Sequence, residues 1–147
     1  MAGEARDIKL HIDNVRKVFN TRNGEMVGPS GCGKSTLLNI IAGLSEPTSG
    51  AVYCDGKKVT GTGTERGVVF QQYALFPWLT VKKNVRFALE MRGVKGAEAD
   101  ELAMQYLEKV DLAKFADHYP KELSGGMKQR VAIARAYAAE PEVLLMD

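Results

Sequence analysis

The sequence predicts an α/β protein in which short apolar strands alternate with amphipathic helices around a loop suited to holding phosphate. Three observations carry that expectation. Gly28-Pro29-Ser30-Gly31-Cys32-Gly33-Lys34-Ser35-Thr36 fits the template G-x-x-x-x-G-K-[S/T]. The apolar residues just after it, Leu37, Leu38, Ile41 and Leu44, follow helical spacing, so the loop opens a helix. Two short apolar runs, Gly67-Val68-Val69-Phe70 and Val143-Leu144-Leu145-Met146, read as buried strands.

The loop's residue types follow from its chemistry. A triphosphate needs several N–H donors converging on its oxygens, and glycines let the backbone approach without a Cβ in the way. Lys34 offers a cation for the β- and γ-phosphates, Ser35 a hydroxyl for Mg²⁺, and the helix dipole faces the anion. Cys32, inside the loop, serves as a small filler.

Bulk composition narrows the class. A chain of 147 residues makes about one domain with a real core, and 45% apolar with 26% charged residues is ordinary for a globular protein. A net charge of +2 with no basic run argues against nucleic acid as a partner. Cys32 and Cys54 make no disulfide framework, which points to a reducing compartment. No apolar run approaches the length of a membrane span, and Met1 to Arg6 has no signal-like apolar region.

In chain order, Ile8, Leu10 and Ile12 alternate with Lys9, His11 and Asp13 as in a half-buried strand, with His11 on the solvated side. Val15, Val18 and Phe19 lead to a polar turn over Asn20 to Gly24. Only Met26-Val27 are apolar between that turn and the loop. After the first helix, Ser45 to Gly50 is a breaker. Ala51 to Cys54 and Lys57 to Val59 form a hairpin about Asp55-Gly56, and Gly61 and Gly63 mark a further loop. Leu75-Phe76-Pro77-Trp78-Leu79 is apolar and aromatic, and a helix runs from Thr80 through Glu90. Residues 97–110 form a surface helix with Ala103, Tyr106, Leu107 and Val110 on one stripe. Ser124 lies near the N-cap of a helix over Met127 to Ala139, ended by Pro141.

Three features have chemical meaning beside the loop. The strand Val143 to Met146 ends at Asp147, whose carboxylate can help hold Mg²⁺ where a phosphate loop lies upstream. Gln71 ends the Gly67–Phe70 strand and either reaches a metal or water or is simply a polar strand end. Ser124-Gly125-Gly126 ahead of a helix is a second anion-binding N-terminus.

On these residues the chain resembles the ATP-binding cassette (ABC) transporter ATPases over nearly its whole length. Leu123-Ser124-Gly125-Gly126-Met127-Lys128-Gln129-Arg130 is similar to that family's signature motif. Val69-Phe70-Gln71-Gln72 resembles the Q-loop, Val143 to Asp147 the Walker B strand, and Phe19 the aromatic that stacks on adenine. Leu75 to Val81 and Pro47-Thr48-Ser49-Gly50 look most like the nitrate/sulfonate/taurine importer branch.

The resemblance implies a P-loop NTPase fold with an antiparallel β subdomain and a helical subdomain. Residues 1–72 would be the strand-rich part, 73–122 the helical subdomain, and 123–147 the signature helix and Walker B strand. It implies ATP and Mg²⁺ as cofactors. ATP would be held by Phe19, Gly28 to Thr36 and Gln71, and the metal by Ser35, Gln71 and Asp147. Leu123 to Gln129 would contact the nucleotide of a second subunit in a head-to-tail dimer. Residues 73–92 would receive a transmembrane permease subunit on the cytoplasmic face of the inner membrane, with a solute-binding protein engaged indirectly.

The chain also departs from the family pattern. Only Asn20 to Val27 separate Phe19 from the loop, where the family has a strand, a linker and a full apolar strand, so an incomplete sheet is expected. The chain stops at Asp147, where the family continues with its catalytic Glu, D-loop and switch His, and His118 precedes the signature. These departures lead to the expectation of a fragment or internally deleted cassette that hydrolyses ATP little and is prone to self-association. The alternatives are a nucleotide- or phosphate-binding module without turnover and an interaction fragment that binds no nucleotide.

Overall fold

A computed structural model describes residues 9–21, 24–25, 32–70 and 72–147, and these form two compact units, residues 1–63 and residues 64–147. In the first unit, strand β1 (Leu10–Arg16) pairs antiparallel with β4 (Ser49–Cys54), which pairs with β5 (Lys57–Lys58). The segment following Phe19 forms a two-residue hairpin of β2 (Asn20–Thr21) and β3 (Gly24–Glu25). Helix α1 (Cys32–Ile41) stands between β3 and β4 in the chain. The hairpin turn expected at Asp55-Gly56 is present, with φ of 47° and 72°. Two successive left-handed residues match the twist of the flanking strands.

Two expectations about this unit change. The alternation of Leu10 and Ile12 does not give a half-buried strand: Ile12 is 41% exposed and Leu10 only half-buried. The pairing of β1 with β4 slips between Asp13 and Arg16, and Asn14 has φ of 46° there. A bulge of this kind bends the strand and re-aims its side chains. The apolar stripe of α1 is also shorter than its sequence suggests. The helix ends at Ile41, leaving Leu44 beyond it and exposed, while Ile40, Ile41 and Ala42 are buried. The end is a Schellman motif: Gly43 N–H bonds the Ile40 carbonyl (3.1 Å) and Leu44 N–H the Asn39 carbonyl (2.9 Å). Gly43 has φ of 78°, and a Cβ there would fall 1.9 Å from the carbonyl oxygen of Gly61, so only glycine fits.

The second unit is a parallel strand pair joined by a helical crossover. Strand β6 (Arg66–Val69) pairs in parallel with β7 (Val143–Met146), in a register that runs from Arg66 opposite Val143 to Val69 opposite Met146. Between them lie α2 (Val81–Met91), α3 (Gly96–Lys109), two 3₁₀ turns (Ala113–Phe115 and Pro120–Glu122) and α4 (Gly125–Ala138). The core is where the three helices meet: Val81, Val85, Leu89, Leu107, Leu112 and Val131 are almost wholly buried. The stripe expected on the 97–110 helix is only partly right. Ala103 and Leu107 are buried and Ala99 joins them, while Tyr106 and Val110 lie at the edge of the core.

The far end of the unit is pinned by polar groups. Arg92, which caps α2, donates to the Ala138 carbonyl (3.0 Å) and pairs with Glu140 (2.5 Å). Tyr106 lies beside this pair. Burial first, and then the charge of Glu140, push the Tyr106 phenol above its ordinary range, while Arg92 pulls it the other way.

Two consequences follow for stability. Leu107→Ala removes a fully buried side chain from the three-helix core. It is expected to lower the unfolding free energy by ~2–5 kcal/mol, read as a fall in the urea midpoint at unchanged slope. The Tyr106 phenol is raised in the folded state, so its contribution is complete below the unfolded value of about 10 and declines as pH rises past it. Midpoints measured on both sides of that value should fall less in Tyr106→Phe than in wild type, and an equal fall would rule the phenol out.

Candidate functional site

The site residues divide between the two units. In the first, the residues of the G-x-x-x-x-G-K-S template from Gly33 onward sit in the first turn of α1, with Gly33, Lys34 and Ser35 exposed and Thr36 half-buried. Gly28, Pro29, Ser30 and Gly31 lie outside the described residues, and of Cys32 only its place at the head of α1 is described. The first N–H groups of a helix have no partner within it, so this turn presents donors and an ammonium together.

Phe19 is on the surface of the same unit, 48% exposed. The backbone just before it is tied to Thr48: Thr48 N–H donates to the Arg16 carbonyl (2.8 Å), and Thr48 Oγ1 accepts from Val18 N–H (2.9 Å). Lys17 donates to the Glu46 carbonyl (2.6 Å) and stands 5.7 Å from the centre of the Phe19 ring. An aromatic held this way, with part of its ring open, is suited to stacking on a flat heterocycle.

In the second unit, the parallel pairing of β6 and β7 places both carboxyl ends on one edge, where open α/β sheets bind ligands. Asp147 follows β7 directly, is exposed, and its N–H donates to the Val69 carbonyl (3.1 Å). Gln71, two residues beyond β6, lies outside the described residues. Ser35 in the first unit and Asp147 in the second each carry oxygen of the hard type that Mg²⁺ prefers.

Ser124, expected near the N-cap of a helix over Met127 to Ala139, is the N-cap itself, because α4 already begins at Gly125. Its Oγ accepts from Met127 N–H (3.3 Å), and Lys128 N–H bonds the Ser124 carbonyl (2.9 Å). Leu123 is buried and anchors the motif, Ser124, Gly125 and Gly126 are exposed, and Met127, Lys128 and Gln129 are half-buried. The two glycines differ in kind. A Cβ on Gly125 would stand 3.0 Å from the Tyr73 hydroxyl, whereas one on Gly126 would meet nothing within 4 Å among the described residues. Gly33 at the head of α1 is equally open. Glycine inside a helix costs roughly 0.5–1 kcal/mol relative to alanine. Internal packing gives no reason for these two glycines, but close approach of an outside group to the backbone does.

Sequence reasoning missed the polar residues that hold the aromatic segment after Gln71. Asn84 is fully buried and Arg135 largely so, with burial lowering the pKa of its guanidinium. Arg135 donates to the Ala74 carbonyl (2.8 Å) and lies 5.3 Å from the centre of the Phe76 ring. Each sits on the apolar stripe of its helix, Asn84 between Val81 and Val85 and Arg135 between Val131 and Ala138. A lone polar residue at such a position is the signal that could have found them. The segment they hold displays Trp78 at 71% exposure and Phe87 at 40%, and Phe76, Phe87, Met91 and Arg135 line a groove of about 350 Å³.

A phosphate-loop helix in one unit, and a strand-tip aspartate with a capped Ser-Gly-Gly helix in the other, define the class of an ATP-binding cassette. The chain belongs to the ABC transporter family, whose sequence profile matches residues 17–147. It is 53% identical over 142 residues to the nitrate import ATP-binding protein of Synechocystis sp., covering 97% of this chain and 51% of that protein. Identity to the taurine import ATP-binding protein of Chromobacterium violaceum is 55% over 132 residues, covering 88% of this chain and 51% of that one. The chain thus spans about half the length of these relatives. Among solved structures, the dimeric post-hydrolysis cassette MJ0796 bound to ADP and Pi is similar, with a TM-score of 0.82 and 36% identity over 94% of this chain and 73% of that chain.

The open space at Gly126 has a measurable consequence. Gly126→Ala should raise the urea midpoint of the isolated chain, by roughly 0.5–1 kcal/mol of stability, because nothing opposes the added Cβ. Destabilisation would show that an intrachain contact explains this glycine.

Proposed function

We propose that this chain is the nucleotide-binding part of an ABC importer ATPase that couples ATP to uptake of a small solute of the nitrate, sulfonate or taurine kind. The observation that carries this reading is the pair of glycine-bearing helix N-termini, at Gly33 and at Gly126, where an added Cβ would meet nothing within 4 Å among the described residues. The nitrate and taurine relatives support the importer branch.

In this reading Phe19 stacks on the adenine, the residues from Gly28 to Thr36 cradle the phosphates, and Lys34 neutralises the β- and γ-phosphate charge. Ser35, Gln71 and Asp147 hold Mg²⁺, which when bound supplies charge neutralisation at the phosphate oxygens. Leu123 to Gln129 face the γ-phosphate of a second cassette in a head-to-tail dimer, and the dimeric cassette of similar fold supports that arrangement. The groove and aromatics of residues 73–92 receive a membrane subunit, which places the protein on the cytoplasmic face of the inner membrane. Among the described residues no helix is long and apolar enough to cross a membrane itself.

Titration calorimetry with ATP and Mg²⁺ tests the nucleotide site. Wild type should bind, with affinity falling by about tenfold or more in Lys34→Ala. Binding that ignores Lys34 would remove the loop from the site.

A further inference from the structure

The turn that displays the only tryptophan is held from inside by one buried amide. Phe76-Pro77-Trp78-Leu79 is closed by Leu79 N–H donating to the Phe76 carbonyl (3.2 Å), with Pro77 at the second position, where its fixed φ suits a turn. Beneath it, Asn84 is 0% exposed. Its Oδ1 accepts from Phe76 N–H (2.8 Å), and its Nδ2 donates to the carbonyls of Phe76 (3.1 Å), Leu79 (3.1 Å) and Thr80 (3.0 Å). The amide's acceptor and both donor hydrogens are therefore spent on the backbone of three residues, Phe76, Leu79 and Thr80.

Nor is Asn84 needed to cap its own helix. The first N–H groups of α2 are taken elsewhere: Val81 by the His118 carbonyl (2.8 Å), Lys82 by the Ala116 carbonyl (2.8 Å), and Lys83 by Thr80 Oγ1 (3.3 Å). The other side of the segment has left-handed backbone at Tyr73 (φ 21°) and Ala74 (φ 44°). Such conformations cost energy for residues with a side chain and persist where their surroundings hold them. Arg135 of α4 does so, through the Ala74 carbonyl and the face of Phe76. The rings of Phe76, Trp78 and Phe87 then stack, with centroids 5.5 Å and 4.8 Å from Phe76.

We infer that Asn84 and Arg135 are the positioning residues of this aromatic surface: they set the backbone on which Trp78 is displayed and tie it to the helix that opens at Ser124. The inference gives the docking surface named under Proposed function its internal support, and it rests on that reading only for the identity of what docks.

The test therefore reads the turn itself in the full chain. Trp78 is its own reporter, by fluorescence anisotropy. Amide exchange of Phe76, taken as a ratio to that of Leu107 in the core, separates the turn from global stability. In Asn84→Ala the ratio should rise about tenfold or more, because the amide loses its acceptor, and Trp78 anisotropy should drop. Asn84→Asp, a neutral carboxyl at so buried a position, keeps the acceptor and one donor, so the ratio stays near wild type while anisotropy falls by less than in Asn84→Ala. It also serves if the alanine variant does not fold. Leu89→Ala, buried in the same helix, lowers stability and leaves both readouts unmoved. Arg135→Leu lowers anisotropy. Wild-type ratio and anisotropy in Asn84→Ala, or changes no larger than those of Leu89→Ala, would overturn the role of Asn84. An unchanged anisotropy in Arg135→Leu would overturn that of Arg135. No partner enters these measurements, so a failure to dock a membrane subunit would count against the functional reading and leave this one standing.

Discussion

The parallel pairing of β6 with β7 is the constraint on which the second unit depends. Parallel neighbours cannot be joined by a tight turn, so the chain must leave one end of the pair and return to the other. Everything from Phe70 to Glu142 is that crossover. Its outgoing limb carries the aromatic turn, and its returning limb is α4, which opens at Ser124. The carboxyl ends of both strands share one edge, where Asp147 sits. One topological requirement thus puts the aromatic turn and the Ser124 cap on a single crossover that ends at Asp147. The three-helix core around Leu89, Leu107 and Val131 makes the excursion rigid enough to keep that order in space.

The features legible in the sequence were those whose chemistry is local. The helix after the G-x-x-x-x-G-K-S run, a serine ahead of two glycines, an Asp-Gly turn and an apolar run ending in aspartate each name their structure within a few residues, and α1, α4, the turn and β7 are found where expected. What the sequence concealed was set by contacts far apart in the chain. Ile12 is exposed although it pairs in register with Val52 of β4, and α1 stops at Ile41, where Gly43 passes against the backbone of Gly61. Asn84 interrupts the apolar stripe of α2, and Arg92 follows its last turn. Their partners, the Phe76 turn on one side and Ala138 and Glu140 on the other, become visible only once the helices are assembled.

The two glycines that open α4 show how a structure separates folding from function at adjacent positions. Gly125 has an intrachain explanation, since the Tyr73 hydroxyl occupies the space a Cβ would need. Gly126 has none and still stands in a helix, where alanine would be better by a fraction of a kcal/mol to about one. A residue that lowers stability without improving packing points to something outside the described chain. A helix N-terminus capped by a serine, whose dipole and N–H groups favour negative charge, is suited to an anion approaching the backbone closely.

The same logic applied to the aromatic surface gives the opposite allocation. Trp78 is 71% exposed, so its own burial does little for the fold, yet a wholly buried amide is spent on the turn that carries it. Burying an asparagine is tolerable only when its hydrogen bonds are nearly all made, and an alanine or leucine would suit the surrounding core better if the turn's shape were immaterial. Polar groups placed inside a core to hold an exposed apolar group in one orientation imply that the orientation matters to something that meets it from outside. A mobile tryptophan would lose conformational freedom on each encounter, whereas a held one has already lost it during folding, and the cost moves from binding to stability. Arg135 extends the same support to α4, so the aromatic surface and the helix that opens at Ser124 share one set of contacts.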